Sequence, residues 1–209
     1  GLADALLHPQ DRAYSVPQIF ELIRYCRLRF GRWLRQAPYL PQCSPIVRSP
    51  FADRINQLPR DQQYAVMELF RGTMVRHSLI AYNNNQKDSV SLVVFDRNGW
   101  QDYIPIRIPA TISVQERLPA GAAAVLINQA HTYTDLYLPI NKIEKRWFDA
   151  IDSKKSIAKI LRDINQGARK PDPEKARLFF ERLWQYDQVV FNTSKKVLDK
   201  ATSNEISDF

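Results

Sequence analysis

Three side chains able to bind an anion stand close together in the sequence, where a predicted helix gives way to a predicted strand. They are Arg71, Arg76 and His77. Cationic side chains of this kind recognise carboxylate and phosphate groups, so the set could contact an anionic ligand or a carboxylate from another domain. The alternative is that they stabilise the negative C-terminal end of the helix, where a cation contributes about 0.3–1 kcal/mol. The residue types leave both interpretations open.

No other group of residues has the spacing of a catalytic or metal-binding motif. The three histidines are scattered, and no H-x-x-x-H or E-x-x-H pattern occurs. The six glycines are isolated from one another, so the G-x-G-x-x-G loop that cradles a dinucleotide or a methyl donor is absent. The histidines and glycines are His8, His77, His131, Gly1, Gly31, Gly72, Gly99, Gly121 and Gly167. The sequence therefore predicts no metal site and no cofactor loop in this chain, which is not expected to catalyse a reaction alone.

The cysteines and the hydropathy pattern bear on the compartment. Cys26 and Cys43 are too few for a disulfide framework and neither belongs to a C-x-x-C pair, so both are expected to be reduced packing residues. No apolar run is long enough to cross a membrane, and no signal peptide precedes the first elements. Gly1 reads as the scar of a removed tag, which predicts that the chain begins mid-protein. We expect a cytoplasmic protein without a membrane partner.

The net charge of +8 originates mainly in the N-terminal part of the chain. Residues 1–60 contain nine Lys or Arg against four Asp or Glu, residues 61–149 contain nine of each, and residues 150–209 contain twelve against nine. Five arginines crowd one segment: Arg24, Arg27, Arg29, Arg32 and Arg35. They could form an electropositive face for phosphate or an acidic partner, but the pattern favours arginine stems that cover a half-buried helix and strand.

Hydrophobic periodicity and capping residues predict the order of the elements. The N-terminal part is expected to contain a helix from Val16, a strand over 28–34, a helix that ends at Gly72, and a hairpin of two strands, one from Met74 and one over 89–95. Further strands are expected over 101–109, 122–127, 134–138 and 189–191, with helices from Asn141, over 157–164 and from Pro173 to about Gln185. A loop at Gly167 and a frayed or disordered tail over 201–208 complete the prediction.

The predicted fold class is α+β, with a small β-rich middle, flanking helices and a C-terminal winged-helix-like three-helix unit. The winged-helix-like prediction depends on the order strand, three helices, strand over 132–194. Its third helix carries Lys175, Arg177 and Arg182 against Glu174 and Glu181. Because a DNA-reading helix needs basic side chains, this near balance favours a protein-contact or packing module over nucleic-acid binding.

Four long strings of the sequence carry a family resemblance: HPQDRAYSVPQ at 8–18, RWLRQAPY at 32–39, ELFRGTMVRHS at 68–78 and RLWQYDQVVF at 182–191. They resemble the region downstream of the catalytic domain in a group of bacterial class I S-adenosylmethionine-dependent methyltransferases. The resemblance covers about residues 6–194. It implies that S-adenosylmethionine is held by an upstream Rossmann-like domain of the same chain, which would be a partner of this region. No catalytic or donor-binding residue of the family corresponds to a position here.

The chain is expected to divide into three parts. The residue patterns predict an α+β middle domain over 46–131 and the winged-helix-like unit with its tail over 132–209. The resemblance implies that residues 1–45 are a helix–strand segment that completes or abuts the upstream catalytic domain. The implied role is non-catalytic: substrate recognition, regulation, covering of the active-site mouth, or dimerisation, with the substrate open. The alternative is a stand-alone winged-helix-type module that binds nucleic acid or protein, for which the arginine-rich N-terminal third would be the contact surface.

Overall fold

The computed structural model of the chain describes residues 12–83, 93–95, 99–164 and 172–193, and within these ranges the fold is α+β, as predicted. The helices are α1 (Val16–Tyr25), α2 (Ala52–Asn56), α3 (Arg60–Arg71), α4 (Lys142–Asp149), α5 (Ile157–Ile164) and α6 (Pro173–Gln185). The strands are β1 (Leu28–Trp33), β2 (Leu79–Asn83), β3 (Ile104–Arg107), β4 (Thr111–Val114), β5 (Ala124–Asn128), β6 (Tyr137–Ile140) and β7 (Val189–Asn192). Short 3-10 helices cover Ala37–Tyr39, Pro41–Cys43, Pro45–Arg48 and Trp100–Asp102.

Some predictions lie outside the described residues. They are the start of the chain over 1–11, residues 84–92 of the predicted hairpin, the loop at Gly167 and the tail over 201–208. In the part of the chain that the structure describes, no helix has the length and apolar character needed to cross a bilayer.

The helix starts predicted from capping residues are confirmed. The backbone N–H of Ser15 donates to the Gln18 side chain at 2.9 Å at the start of α1. At the start of α4, the Asn141 side chain accepts from the backbone N–H groups of the second and third helical residues, and the Glu144 side chain accepts from the Asn141 N–H. The Asp172 side chain caps α6 in the same manner. These bonds satisfy backbone donors that have no partner inside the helix.

The predicted partner of β2, the strand over 89–95, lies mostly outside the described residues, so the predicted hairpin stays a prediction. Among the described residues β2 pairs antiparallel with β1, with Leu79 opposite Trp33 and Asn83 opposite Leu28. The strand also begins five residues later than the predicted start at Met74. The side chain of His77 contacts Glu68 of α3 and Tyr39 of the 3-10 helix over 37–39 instead of a neighbouring strand. Val75 is 97% exposed, so no packing contact fixes a strand at this position.

The pairing of β1 with β2 depends on a glycine. The register shifts between Phe30 and Arg32, so Gly31 lies in an irregularity of the strand. A Cβ atom at Gly31 would lie 2.5 Å from a ring carbon of Tyr82 and 2.9 Å from the backbone oxygen of Ile80. Both distances are shorter than Cβ atoms tolerate, so a residue without a side chain is required for this close approach.

The other strands form two further antiparallel sheets. One has the order β4-β5-β6, and β4 was absent from the sequence prediction. The other pairs β3 with β7, placing Pro105 opposite Phe191. Within the described ranges β3 has this one partner, so Pro105 lies on an edge strand, where a residue without a backbone N–H is tolerated.

The order strand, three helices, strand is confirmed by β6, α4, α5, α6 and β7. The two strands lie in different sheets, since β6 pairs with β5 and β7 pairs with β3. The winged-helix-like character of this part therefore stays a prediction. Its helices enclose the largest buried core of the described chain, which includes Trp147, Phe148, Ile160, Phe179 and Leu183.

A second core is built from aromatic rings near the N-terminus. Trp33 is 1% exposed and stacks on Tyr39 with 4.1 Å between ring centroids. Phe20, Phe30 and Tyr64 surround it at centroid distances of 5.2–6.2 Å. This cluster joins α1, β1 and α3 and fixes the position of residues 73–78, the linker that follows α3.

A buried carboxylate connects the segment after β1 to the turn between α6 and β7. Asp187, which is 1% exposed, accepts hydrogen bonds from the Ala37 backbone at 2.9 Å and from Arg32 at 3.2 Å. His131 lies 3.3 Å away, and the Asp187 backbone oxygen accepts from Asn128 at 2.5 Å. These contacts join residues from all three predicted parts, whose boundaries at 45 and 131 stay a prediction.

Candidate functional site

The three predicted site residues lie at or beside the linker over 73–78, which joins α3 to β2 and separates two recesses. The first, the α1 cleft, is bounded by α1 and by residues 74–81 and has a volume of about 1140 Å³. The second, the linker pocket, is bounded by residues 34–39, 73–78 and 131–133 and has a volume of about 510 Å³. Arg76 lines both recesses, His77 lines the α1 cleft, and Arg71 lines neither.

His77 is held by side chains on either side of its ring. Its Nδ1 atom lies 2.8 Å from the hydroxyl of Tyr39, and its Nε2 atom lies 3.2 Å from Glu68. The second oxygen of Glu68 accepts from the backbone N–H of Val16, the first residue of α1. Burial, reinforced by the charge of Glu68, raises the pKa of the Tyr39 hydroxyl, which favours its neutral form. With a side chain only 8% exposed, His77 fixes the linker against α1 and forms part of the cleft wall.

Arg71 forms a buried contact with another part of the chain. Its side chain is 4% exposed, and one guanidinium nitrogen lies 2.5 Å from Asp135. The guanidinium also lies 4.5 Å from the centroid of the Tyr133 ring, a distance at which a cation–π interaction is favourable. Arg71 therefore supports the wall of the linker pocket from behind, and in this arrangement the structure does not place it with Arg76 and His77 on one binding surface.

Arg76 is the predicted site residue whose charge is available to a ligand. Its side chain is exposed and forms no hydrogen bond or ion pair with the residues that the structure describes. It lies on the linker between the two recesses, so its guanidinium is available to both. Of the three predicted residues, Arg76 is the one that fits the interpretation of a ligand contact.

The walls of the α1 cleft are mixed in character. One wall is the apolar face of α1, and the facing wall is formed by β2 and by the linker. Polar and charged side chains gather at the end where the described chain enters α1: Arg12, Ser15, Gln18, Glu68, Arg76 and His77. The apolar residues are Ala13, Ile19, Leu22, Ile23, Leu28, Met74, Val75, Leu79 and Ala81. A cleft with an apolar floor and a few polar groups at one end has the usual composition of a ligand-binding recess.

Sequence reasoning missed the loop over 131–133. Tyr133 and Thr132 line the linker pocket together with His131, more than fifty residues beyond the linker itself. No local pattern marks these residues, because a loop becomes part of a site through tertiary packing. The signal that could have pointed to them is the separated pair Arg71 and Asp135, whose opposite charges meet in the fold.

The two cysteines differ in their surroundings. Cys43 is buried, and this burial raises the pKa of its thiol well above the usual value. Cys26 is exposed beside the α1 cleft. The expectation of a packing residue therefore holds for Cys43 alone, and its high pKa argues against a role as nucleophile.

The described glycines do not form a cradle for S-adenosylmethionine. Gly31 is packed inside β1, and the others lie in separate turns: Gly72, Gly99 and Gly121. A donor-binding loop needs glycines clustered between a strand and a helix, so we derive no step of methyl transfer from these residues. No group of three His, Cys, Asp or Glu side chains suited to a metal ion occurs among the residues that the structure describes.

No known family model matches the chain.

Proposed function

We propose that this chain is a non-catalytic accessory portion of a bacterial S-adenosylmethionine-dependent methyltransferase, and that its α1 cleft recognises the methyl acceptor. Support for the methyltransferase context comes from the four strings at 8–18, 32–39, 68–78 and 182–191. In this proposal an upstream domain of the same chain binds S-adenosylmethionine and carries out the transfer, in the cytoplasm. The present region supplies contacts to the acceptor.

The observation that carries the proposal is the position of the α1 cleft. Residues 12–15, the first that the structure describes, line its polar end. The described chain therefore enters this region beside the cleft, and our proposal places the upstream domain at its mouth. That arrangement suits a surface that guides an acceptor toward a catalytic domain or covers its entrance. Dimerisation through the same cleft is the competing role.

The winged-helix-like assignment of α4, α5 and α6 is a further part of this proposal, with protein contact as its role. The basic side chains of α6 are already paired. Arg177 lies 2.6 Å from Glu174 and 3.0 Å from Glu181, and Arg182 lies 3.1 Å from Glu144. A recognition helix must present free basic side chains to phosphates and bases, so this pairing disfavours the nucleic-acid alternative.

Calorimetric titration of S-adenosylmethionine and S-adenosylhomocysteine tests the methyltransferase context. We expect no binding to this chain and binding to a protein that extends upstream. Binding to the chain alone would mean that a donor site exists here and that the glycine argument is wrong. A failure of the extended protein to bind would refute the methyltransferase context.

A pair of matched substitutions tests the role of the cleft. Leu22 lines the cleft and is 44% exposed, whereas Leu178 on α6 has the same exposure and does not line it. In the extended protein we expect Leu22→Glu to raise the KM for the acceptor, while Leu178→Glu leaves it unchanged. The readout is methyl transfer at varied acceptor concentration, with thermal unfolding as the folding control. Equal KM values for the two variants would contradict the assignment of the cleft.

A further inference from the structure

The linker pocket differs from the α1 cleft in its charge and its size. It is lined by two arginines and several hydroxyl groups, and no Asp or Glu is among its described lining residues. The lining side chains with donor groups are Arg35, Tyr39, Thr73, Arg76, Ser78, His131, Thr132 and Tyr133. Its volume of about 510 Å³ falls within the range of small-molecule sites.

The two arginines have no competing partner. Arg35, which follows β1, and Arg76, on the linker, come from different walls of the pocket. Both are exposed, and neither forms a hydrogen bond or ion pair with the described residues. Elsewhere in the fold, Arg32 and Arg71 are each paired with a carboxylate. Arg35 and Arg76 therefore keep their donors available, and two arginines that line one recess give it a positive potential.

The nearby carboxylates are engaged on the far sides of the pocket walls. Glu68 contacts His77 and the start of α1, and Asp135 contacts Arg71 beneath Tyr133. Asp187 is buried behind His131 and accepts from Arg32. Each of these carboxylates already has a partner outside the pocket. None of them therefore neutralises the charge of Arg35 and Arg76 from inside the pocket.

The pocket is also held in a fixed shape. Tyr39 forms part of its wall, stacks on Trp33 and contacts His77. Tyr133 is supported from behind by the guanidinium of Arg71. Because these walls are braced by buried contacts, they need little reorganisation when a ligand enters, and the ordering cost falls on the exposed side chains of Arg35 and Arg76.

From this arrangement we propose that the linker pocket binds a small organic ligand through an oxyanion, with Arg35 and Arg76 as the binding residues. The oxyanion is a phosphate or a carboxylate group, which share the geometry that guanidinium donors recognise. This inference is independent of the methyltransferase proposal, since it depends on residues of this chain alone.

The test uses the chain as it is and follows backbone amide signals by NMR during titration with inorganic phosphate and, separately, with acetate. We expect saturable shifts confined to residues 34–39, 73–78 and 131–133 with at least one probe. Saturation by phosphate alone identifies a phosphate-bearing ligand, and saturation by acetate alone identifies a carboxylate. Each probe is added to roughly tens of millimolar, which would fill a site with a Kd of about 1 mM. If neither probe gives saturable shifts at that concentration, the proposal is overturned.

Three variants separate a built site from general attraction to positive charge. Arg35→Gln and Arg76→Gln should each weaken binding at least about tenfold, because each removes a charge-assisted hydrogen bond. Arg48→Gln, at an exposed arginine outside the pocket, should leave the affinity unchanged. All three positions are exposed, so these variants should fold, which thermal unfolding checks. An equal loss in all three variants, or no loss at Arg35 and Arg76, overturns the proposal.

Discussion

Removing the Asp187 carboxylate is expected to destabilise the whole fold. The carboxylate is buried, and it binds the Ala37 backbone and the Arg32 guanidinium. A substitution at this position can also strain the backbone, because Asp187 has a φ of +51°. Alanine at this φ adds strain of about 1–2 kcal/mol that is unrelated to the lost contacts. Asp187→Gly removes the carboxylate without that strain and is therefore the decisive variant.

The size of the expected loss in the free energy of unfolding follows from the groups that lose the Asp187 carboxylate as a partner. The Ala37 N–H would stay buried without an acceptor, at a cost of about 1–3 kcal/mol. Loss of a partner from a buried ion pair costs about 3–5 kcal/mol, but Arg32 is 22% exposed and can reach water, so its share is smaller. We expect a total loss of about 3–5 kcal/mol for Asp187→Gly. Asp187→Asn keeps one acceptor oxygen and tolerates the φ, so its loss should be about 1–2 kcal/mol.

The assay is urea unfolding followed by tryptophan fluorescence. Glu21→Gln serves as the control, because Glu21 is an exposed acid on α1 for which a change within about 0.5 kcal/mol is expected. A loss below about 1 kcal/mol for Asp187→Gly would refute the reasoning, since it would mean that Ala37 and Arg32 find other partners at no cost. A double-mutant cycle of Asp187→Asn with Arg32→Met then measures their coupling, expected to be at least about 0.5 kcal/mol.

Three further predictions use other parts of the fold. Burial raises the pKa of the Cys43 thiol, so at pH 8 an alkylating reagent should label Cys26 and leave Cys43 unlabelled until urea is added; rapid labelling of both thiols in the native protein would contradict this. Gly31→Ala should lower the free energy of unfolding by about 2–3 kcal/mol through a steric clash. Gly72→Ala, with open space but a φ of +64°, should lower it by about 1 kcal/mol, and urea unfolding that reverses this order would disprove the steric account. Burial raises the pKa of Tyr186 from 10.0 to about 12, so the folded state favours the neutral phenol, and the stabilisation present below pH 10 is lost as the pH rises to 12. Tyr186→Phe should flatten this part of the stability profile in urea unfolding, and an unchanged slope would exclude the effect.

The features that sequence alone predicted are those specified by neighbouring residues. The helix starts at Asn141 and at Asp172 depend on side chains that bond to backbone groups two or three positions away. The end of α3 depends on Gly72, whose left-handed conformation is available within one turn. Each of these signals depends only on a few neighbouring residues. The structure confirms the helix ends that they predict.

The features that escaped prediction join distant parts of the chain. Arg71 meets Asp135 across 64 positions, and Asp187 meets the Ala37 backbone across 150. Neither pairing has a local pattern, because the contacts depend on how the sheets and helices pack. The same holds for the choice of β1 as the partner of β2. The candidate site was therefore predicted in part: Arg76 lines both recesses, while the other residues of the pocket walls became visible only in the fold.

The pairing of β3 with β7 limits how the chain can be divided. Ile104 of β3 lies opposite Asn192 of β7, so two strands that are far apart in the sequence are neighbours in the fold. All the helices and strands between them in the sequence are enclosed by this pairing. A piece that begins at residue 132 would leave β7 with a free row of backbone N–H and C=O groups. We therefore expect a piece that begins at residue 132 to be less stable than one that begins before Ile104, because it lacks the strand that pairs with β7.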